Sequence, residues 1–363
     1  MKTVVTFGEI MLRLNTPGYR RLTQAMPGSL EATFAGAEAN VAAIIRMLGT
    51  PSRFVTAVPD NAIGRACIDS LRSLGIDVSA IVCSERGRMG TFYVETGAAQ
   101  RPSTVLYDRE YSSFVQLRSG EIDWDDAFSN AGWFHVTGVT PSLSADAADL
   151  AIEAAQAARR AGLTVSCDLN FRSKLWQWRS GTLARTLASE VMSKIVREAD
   201  VLVGNEEDAE DVFDIHVGTS DVRSGVLDYP GYTDSARELV KRFPNLRYVA
   251  YTLRESISAT ANRWGAMLYD ASTDRGHFAP NDGESYTPYE IGYIVDRVGA
   301  GDAFAGSLIY ALQSERGDVP PAAVSFAAAA SCLAHSIPGD FCYVSHREIE
   351  QLAGGFASGR VQR

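Results

Sequence analysis

The sequence predicts an α/β fold: a mostly parallel central sheet flanked by helices on both faces, with a small β-sheet lid. Three observations predict it. Short apolar runs rich in Val, Ile, Phe and Tyr alternate along the chain with longer Ala- and Leu-rich segments, joined by short connections. Two stretches, 13–35 and 89–117, break that rhythm with Pro, Gly and β-rich pieces. Near the C-terminal end, Gly299-Ala300-Gly301-Asp302 stands directly before an apolar helical run, as a turn whose backbone N–H groups are left uncovered.

In order, Val4 to Phe7 reads as a buried strand ending at Gly8. Pro17, Gly18, Pro27 and Gly28 then interrupt the chain, and the alternation of Leu30, Ala32 and Phe34 suggests short exposed strands. Ala39 to Leu48 reads as an apolar helix stopped by Gly49. A strand over 54–58, a helix over 63–74 closed by Gly75 and a strand over 76–82 follow. Residues 91–94 and 103–107 are β-rich runs around a turn at Gly97. The alternation resumes with strands at 133–136, 163–168, 201–203 and 247–252, and helices at 145–161 and 182–197. Residues 218–233, rich in Gly, Asp, Ser and Pro, read as a surface insertion. The Ala327–Ala330 run reads as a tightly packed helix segment. This divides the chain into an α/β body (1–12, 36–88 and 118–363) and a lid (13–35 and 89–117).

Composition narrows the function. The 363 residues are 46% hydrophobic, enough for a large core. A formal net charge of −10 disfavours general nucleic-acid binding, because the protein would repel phosphate backbones. The five cysteines form no C-x-x-C pair, so neither a zinc site nor a disulfide framework is indicated. The apolar run after Met1 is short and closed by Glu9, and no apolar segment reaches membrane-spanning length, which makes a cytoplasmic protein the expectation. The P-loop, G-x-G-x-x-G, H-E-x-x-H and G-x-S-x-G patterns are all absent.

Four constellations remain. Around Gly299–Asp302, an acid beside an anion site suits a base acting next to a phosphate; the same residues also read as a glycine N-cap with an acid in the first turn. Gly36-Ala37-Glu38-Ala39-Asn40 leads small residues into a helix, where Asn40 could bond a hydroxyl or simply cap. Gly204-Asn205-Glu206-Glu207-Asp208 places oxygen ligands at a strand end, suited to a hydrated magnesium ion or to complementing a helix dipole. Tyr107-Asp108-Arg109 and Asp168-Leu169-Asn170-Phe171-Arg172 offer arginines that could clamp an anion or pair locally.

Taken together and in this order, these motifs resemble the ribokinase/PfkB family of sugar kinases, and within it the 2-keto-3-deoxygluconate kinases. The resemblance runs from Phe7-Gly8-Glu9 to Pro338-Gly339-Asp340-Phe341. It implies a ribokinase-like sheet of about nine strands with a β lid, ATP and Mg2+ as cofactors, and phosphoryl transfer to the sugar's terminal O6 hydroxyl. By position, it implies Asp302 as base and Gly299, Ala300 and Gly301 as anion hole. Gly36, Asn40, Tyr93, Tyr107, Arg109 and Arg172 would hold the sugar acid. Asn205, Thr252 and Arg254 would meet the nucleotide, and Asn205 and Asp208 the metal through water. A monovalent cation is left open. The two arginines favour a sugar acid, since a neutral sugar would leave them uncompensated. A kinase for fructose, ribose or a nucleoside is the alternative, and a non-catalytic sensor a further one, disfavoured by Asp302. The exposed edges of the lid suggest a homodimer or higher homo-oligomer. Departures include Arg297 where Thr is frequent, Asp208 in place of Glu, and Leu253-Arg254-Glu255 after Thr252 in place of a glycine turn.

Overall fold

The structure is a computed structural model and describes residues 1–218, 229–283 and 285–356. Its strands, in chain order, are β1 (Thr3–Phe7), β2 (Met11–Asn15), β3 (Glu31–Ala35), β4 (Ser52–Pro59), β5 (Ile81–Ser84), β6 (Gly90–Glu95) and β7 (Thr104–Asp108). They continue with β8 (Ala131–Thr137), β9 (Thr164–Asp168), β10 (Val201–Asn205), β11 (Tyr248–Ser258), β12 (Ala261–Asp270), β13 (Arg275–Ala279) and β14 (Tyr289–Ile291). The main sheet runs β13-β12-β11-β10-β9-β8-β1-β4-β5, with β14 paired to β12. From β11 to β5 all six pairs are parallel, and β12, β13 and β14 finish the edge antiparallel.

The parallel strands are apolar on both faces because both faces are covered. Val5, Phe134, Leu202 and Val249 enter one core, with the helices Ala145–Arg160, Ala184–Val196 and Tyr229–Arg242. Val4, Trp133, Val201 and Ala250 enter the other, with Ala37–Met47, Ala300–Leu312 and Pro320–Ala334. The Ala327–Ala330 run is fully buried there. Small residues bring the helices 37–47 and 300–312 together: a Cβ on Gly306 would collide with Ile44. That close packing sets their N-termini side by side at the carboxyl ends of the strands. Strand order departs from β1 in both directions, to β4 and to β8, which makes this end a topological switch point.

A second sheet, β3-β2-β6-β7, lies over that end. Its strand β2 begins at Met11, before the expected boundary at residue 12. Three expectations need correction. The strand expected over 76–82 forms only from Ile81, because the Asp77 side chain accepts the Ser79 N–H at 2.9 Å and turns the chain. The strand expected over 247–252 continues to Ser258 and folds back as β12. Of the insertion expected over 218–233, residues 219–228 lie outside the described residues, and from Tyr229 the chain is already helical.

Candidate active site

A cavity of about 380 Å³ opens between the strand ends and the second sheet. Its floor is two helix starts that no side chain caps, at Gly36 and Gly299. Gly299 has φ +87, and a Cβ there would collide with the carbonyl oxygen of Asp340, so only glycine fits. Gly301 is different: a Cβ there would meet nothing within 4 Å, yet the residue lines the cavity. The first-turn N–H groups at 300–302 therefore face open space, an arrangement suited to an anion.

Asp302 sits at the helix start with its carboxyl accepting a hydrogen bond from Asn40 Nδ2 at 2.7 Å. Burial raises its pKa to about 7; the negative charges of Asp340 and Glu38 add to the rise, and Asn40 and Arg172 oppose it. A carboxylate of that basicity can take a proton from a hydroxyl near neutral pH. The Oδ1 of Asn40 is buried without a partner and open to accept a hydroxyl hydrogen. Asn170, held with φ 35 and its N–H on Asp168, also leaves Oδ1 without a partner.

Of the residues expected in the site, the cavity brings together Gly36, Asn40, Tyr107, Arg109, Arg172, Asn205, Asp208, Thr252, Arg254, Gly299, Ala300, Gly301 and Asp302. Tyr93 is not among the lining residues: its strand neighbour Phe92 is, since adjacent side chains on β6 point to opposite faces. The two arginines are not equivalent. Arg109 Nε donates to Glu9 Oε2 at 2.8 Å, its Nη2 pairs with the same carboxylate, and Ser112 donates to the other oxygen. Its charge is already neutralised within the protein. Arg172 donates to the carbonyl of Phe171 at 2.9 Å and has no ion-pair partner among the described residues.

Asn205 and Asp208 are held by each other's backbone. Asn205 Oδ1 accepts the Asp208 N–H at 2.9 Å, and the Asp208 carboxylate accepts the N–H groups of Asn205 at 3.0 Å and Phe171 at 2.9 Å. They form a reciprocal capping box on the helix Glu206–Phe213. No group of three or more His, Cys, Asp or Glu that could hold a metal is present among the described residues. These two side chains fit a magnesium ion only through its waters.

Sequence reading missed several cavity residues. Asp168 ends β9, and burial raises its pKa to about 8, with Asp208 and Asp302 adding and Arg172 opposing. Asp340 shares the guanidinium of Arg13 with Asp296, which ties a strand of the second sheet to the turn before Gly299. Asn262 and Trp264 come from β12, a strand that was not expected. Asp168 and Asp340 stood inside the quoted motifs, whereas nothing in the sequence marked Arg13, Asn262 or Trp264 as neighbours of the turn.

The family model described as pfkB family carbohydrate kinase matches residues 1–247. A 2-dehydro-3-deoxygalactonokinase from Haloferax volcanii is 31% identical over 357 residues, covering 98% of each chain. A 2-dehydro-3-deoxygluconokinase from Thermoproteus tenax is 27% identical over 97% of this chain and 94% of its own. The crystal structure of a 2-dehydro-3-deoxygluconokinase from Thermotoga maritima superposes with a TM-score of 0.88 at 41% identity, over 98% of this chain and all of that one. Matched by the family model over more than half of its length and by a relative 31% identical across 98% of both chains, the chain belongs to the pfkB family of carbohydrate kinases.

Proposed function

We propose that this kinase transfers the γ-phosphoryl group of ATP to the terminal O6 hydroxyl of 2-keto-3-deoxygluconate. The observation that carries the substrate class is Arg172, a guanidinium facing the cavity with no carboxylate of its own, beside the open amide oxygens of Asn40 and Asn170. One arginine, not two, supports a sugar acid, because Arg109 is satisfied by Glu9. The relatives named for 2-dehydro-3-deoxy sugar acids support the same reading.

In this mechanism Asn40 and Asn170 accept hydroxyl hydrogens and orient the sugar, and Arg172 pairs its carboxylate. Asp302 accepts the O6 proton as the bond to phosphorus forms. The N–H groups at 300–302 hold the transferred group, and Phe92, Tyr107 and the second sheet limit water at the sugar end. Asn205 and Asp208 would hold a magnesium ion through its waters, and it would supply charge neutralisation on the nucleotide phosphates.

A neutral sugar is the second reading, favoured by one observation: the Glu9–Arg109 pair leaves a single cation to compensate. A panel with purified protein, ATP and magnesium separates the two. Turnover should be greatest with 2-keto-3-deoxygluconate or its galactonate epimer; preference for fructose, ribose or adenosine would replace the sugar-acid reading. The second sheet suggests self-association as well, because Leu106 and Tyr107 on β7 are 58% and 50% exposed.

A further inference from the structure

The second sheet reaches the floor of the cavity through a buried cation that the mechanism above does not use. Arg13, on β2, is 2% exposed. Its Nη2 donates to Asp296 Oδ2 at 2.5 Å, and its Nη1 donates to Asp340 Oδ1. Burial works against the guanidinium charge, but Asp340 and Asp296 outweigh it and hold the Arg13 pKa above its ordinary value. Desolvation offsets much of the attraction in such a group, so stability alone is a weak reason for it. Its position is more informative.

Both carboxylates belong to the frame of the open helix start. Asp296 Oδ1 accepts the Val298 N–H at 3.1 Å, and its Oδ2 accepts the Gly339 N–H at 3.1 Å. One side chain therefore stitches the turn before Gly299 to the loop at 339–340. The Asp340 carbonyl oxygen lies 2.4 Å from where a Cβ of Gly299 would stand, so the two backbones are in close contact. Moving either acid moves Val298 and Gly299, the residues that aim the N–H groups at 300–302. On its other side, β2 pairs with β3 in the register Met11↔Ala35, and β3 runs directly into Gly36 and the helix that carries Asn40. The second sheet is rooted at both helix starts, by chain continuity at Gly36 and by Arg13 at Gly299.

We propose that Arg13 is a positioning residue for phosphoryl transfer: its two-pronged bridge to Asp296 and Asp340 holds the Gly299 turn in register with the second sheet, so that the cradle is aligned when the sheet covers the sugar end. The fork is what matters, because an ammonium is a single point charge and cannot present two fixed donors to two acids. The proposal rests on reading the N–H groups at 300–302 as the cradle, which Gly301→Ala tests by itself.

The experiment compares Arg13→Lys and Arg13→Met with the unaltered chain. Turnover is measured with ATP, magnesium and whichever acceptor the sugar panel selects. Binding is measured for ADP alone and for ADP with aluminium fluoride and that acceptor, where the fluoride complex stands in for the transferred group. These are affinities, so a smaller folded fraction does not change them. Arg13→Lys keeps the buried charge and should lower kcat by ~10-fold, with KM for ATP and acceptor within about threefold. It should weaken the fluoride complex by ~10-fold and ADP by less than about twofold, since only the transition-state geometry is lost. Arg13→Met should lose ~10²-fold in kcat, the scale of a misplaced reacting group. If Arg13→Met does not fold, Arg13→Lys decides. Tyr19→Phe is the control: it removes an exposed contact of the β2–β3 connection with the body, the 2.8 Å bond between the Tyr19 and Tyr293 hydroxyls. Its kcat should stay within about twofold of the unaltered chain. A fluoride complex bound by Arg13→Lys as tightly as by the unaltered chain would overturn the proposal and leave Arg13 a structural ion pair. Equal losses for ADP and the fluoride complex, or a raised KM with unchanged kcat, would overturn it too, as would a loss in Tyr19→Phe equal to that in Arg13→Lys.

Discussion

Two helix starts face the same cavity and end differently. At Asn205 the side chains of Asn205 and Asp208 close the first turn on themselves, each accepting the other's backbone N–H. At Gly299 no side chain closes the turn, and its acid, Asp302, is bonded to Asn40 on another helix. Both are small or polar residues followed by acids after a strand or turn. The difference shows that an acid near a helix start is available for chemistry only when the helix does not need it as a cap.

The largest effect that would sharpen this contrast is at the open start. Asp302→Asn should lower kcat by at least ~10²-fold, the scale of lost general-base help, with ATP binding largely retained in a titration. Gly301→Ala comes next. Its Cβ meets no protein atom, so thermal stability should be unchanged, while intrusion into the cradle should lower kcat/KM by ~10-fold or more. Full activity in that variant would remove Gly301 from the cradle.

The two arginines are separated by smaller effects of different kinds. Arg172→Ala should raise the KM for the sugar acid by about tenfold with little change in melting temperature. Arg109→Ala leaves Glu9, 4% exposed, without its cation and should destabilise the fold by about 3–5 kcal/mol, read by denaturant unfolding. The reverse pattern, an unstable Arg172 variant and a stable Arg109 variant, would exchange their roles. Smallest is Asn205→Ala: loss of one cap should cost about 1 kcal/mol, with only a modest change in kcat.

Much of the fold was legible because parallel strands buried on both faces are nearly continuous apolar runs, and Val4–Phe7, Trp133–Val136 and Val201–Val203 are, with only Thr6 and His135 polar among them. The antiparallel edge was not. β12 and β13 carry Arg263, Asp270, Arg275 and His277 among their apolar residues, and neither the turn into β12 at 258–261 nor the turn into β13 at 270–275 is marked by Asn-Gly or Asp-Gly. At the site, Gly299–Asp302 and Asn40 could be singled out because small residues before a helix are a local signal. The Glu9–Arg109 pair spans 100 positions and Arg13–Asp340 spans 327, so neither could be read locally. For that reason the choice for Arg109 between clamping an anion and pairing locally stayed open in the sequence, and the structure shows the pair. The placement of Tyr93 failed by one residue on a strand whose side chains alternate, which moved the contact to Phe92.

We assign Asp302 as the base, made basic by burial beside an uncapped helix start. The pH dependence of kcat/KM measures it most directly. Below its pKa Asp302 is protonated and cannot accept the hydroxyl proton, so the rate should rise with pH through about 7. The limb should persist in Asp168→Asn, which removes the neighbouring group at about 8, and vanish in Asp302→Asn. A limb near the ordinary carboxylate range of about 4, or one that survives Asp302→Asn, would contradict the account.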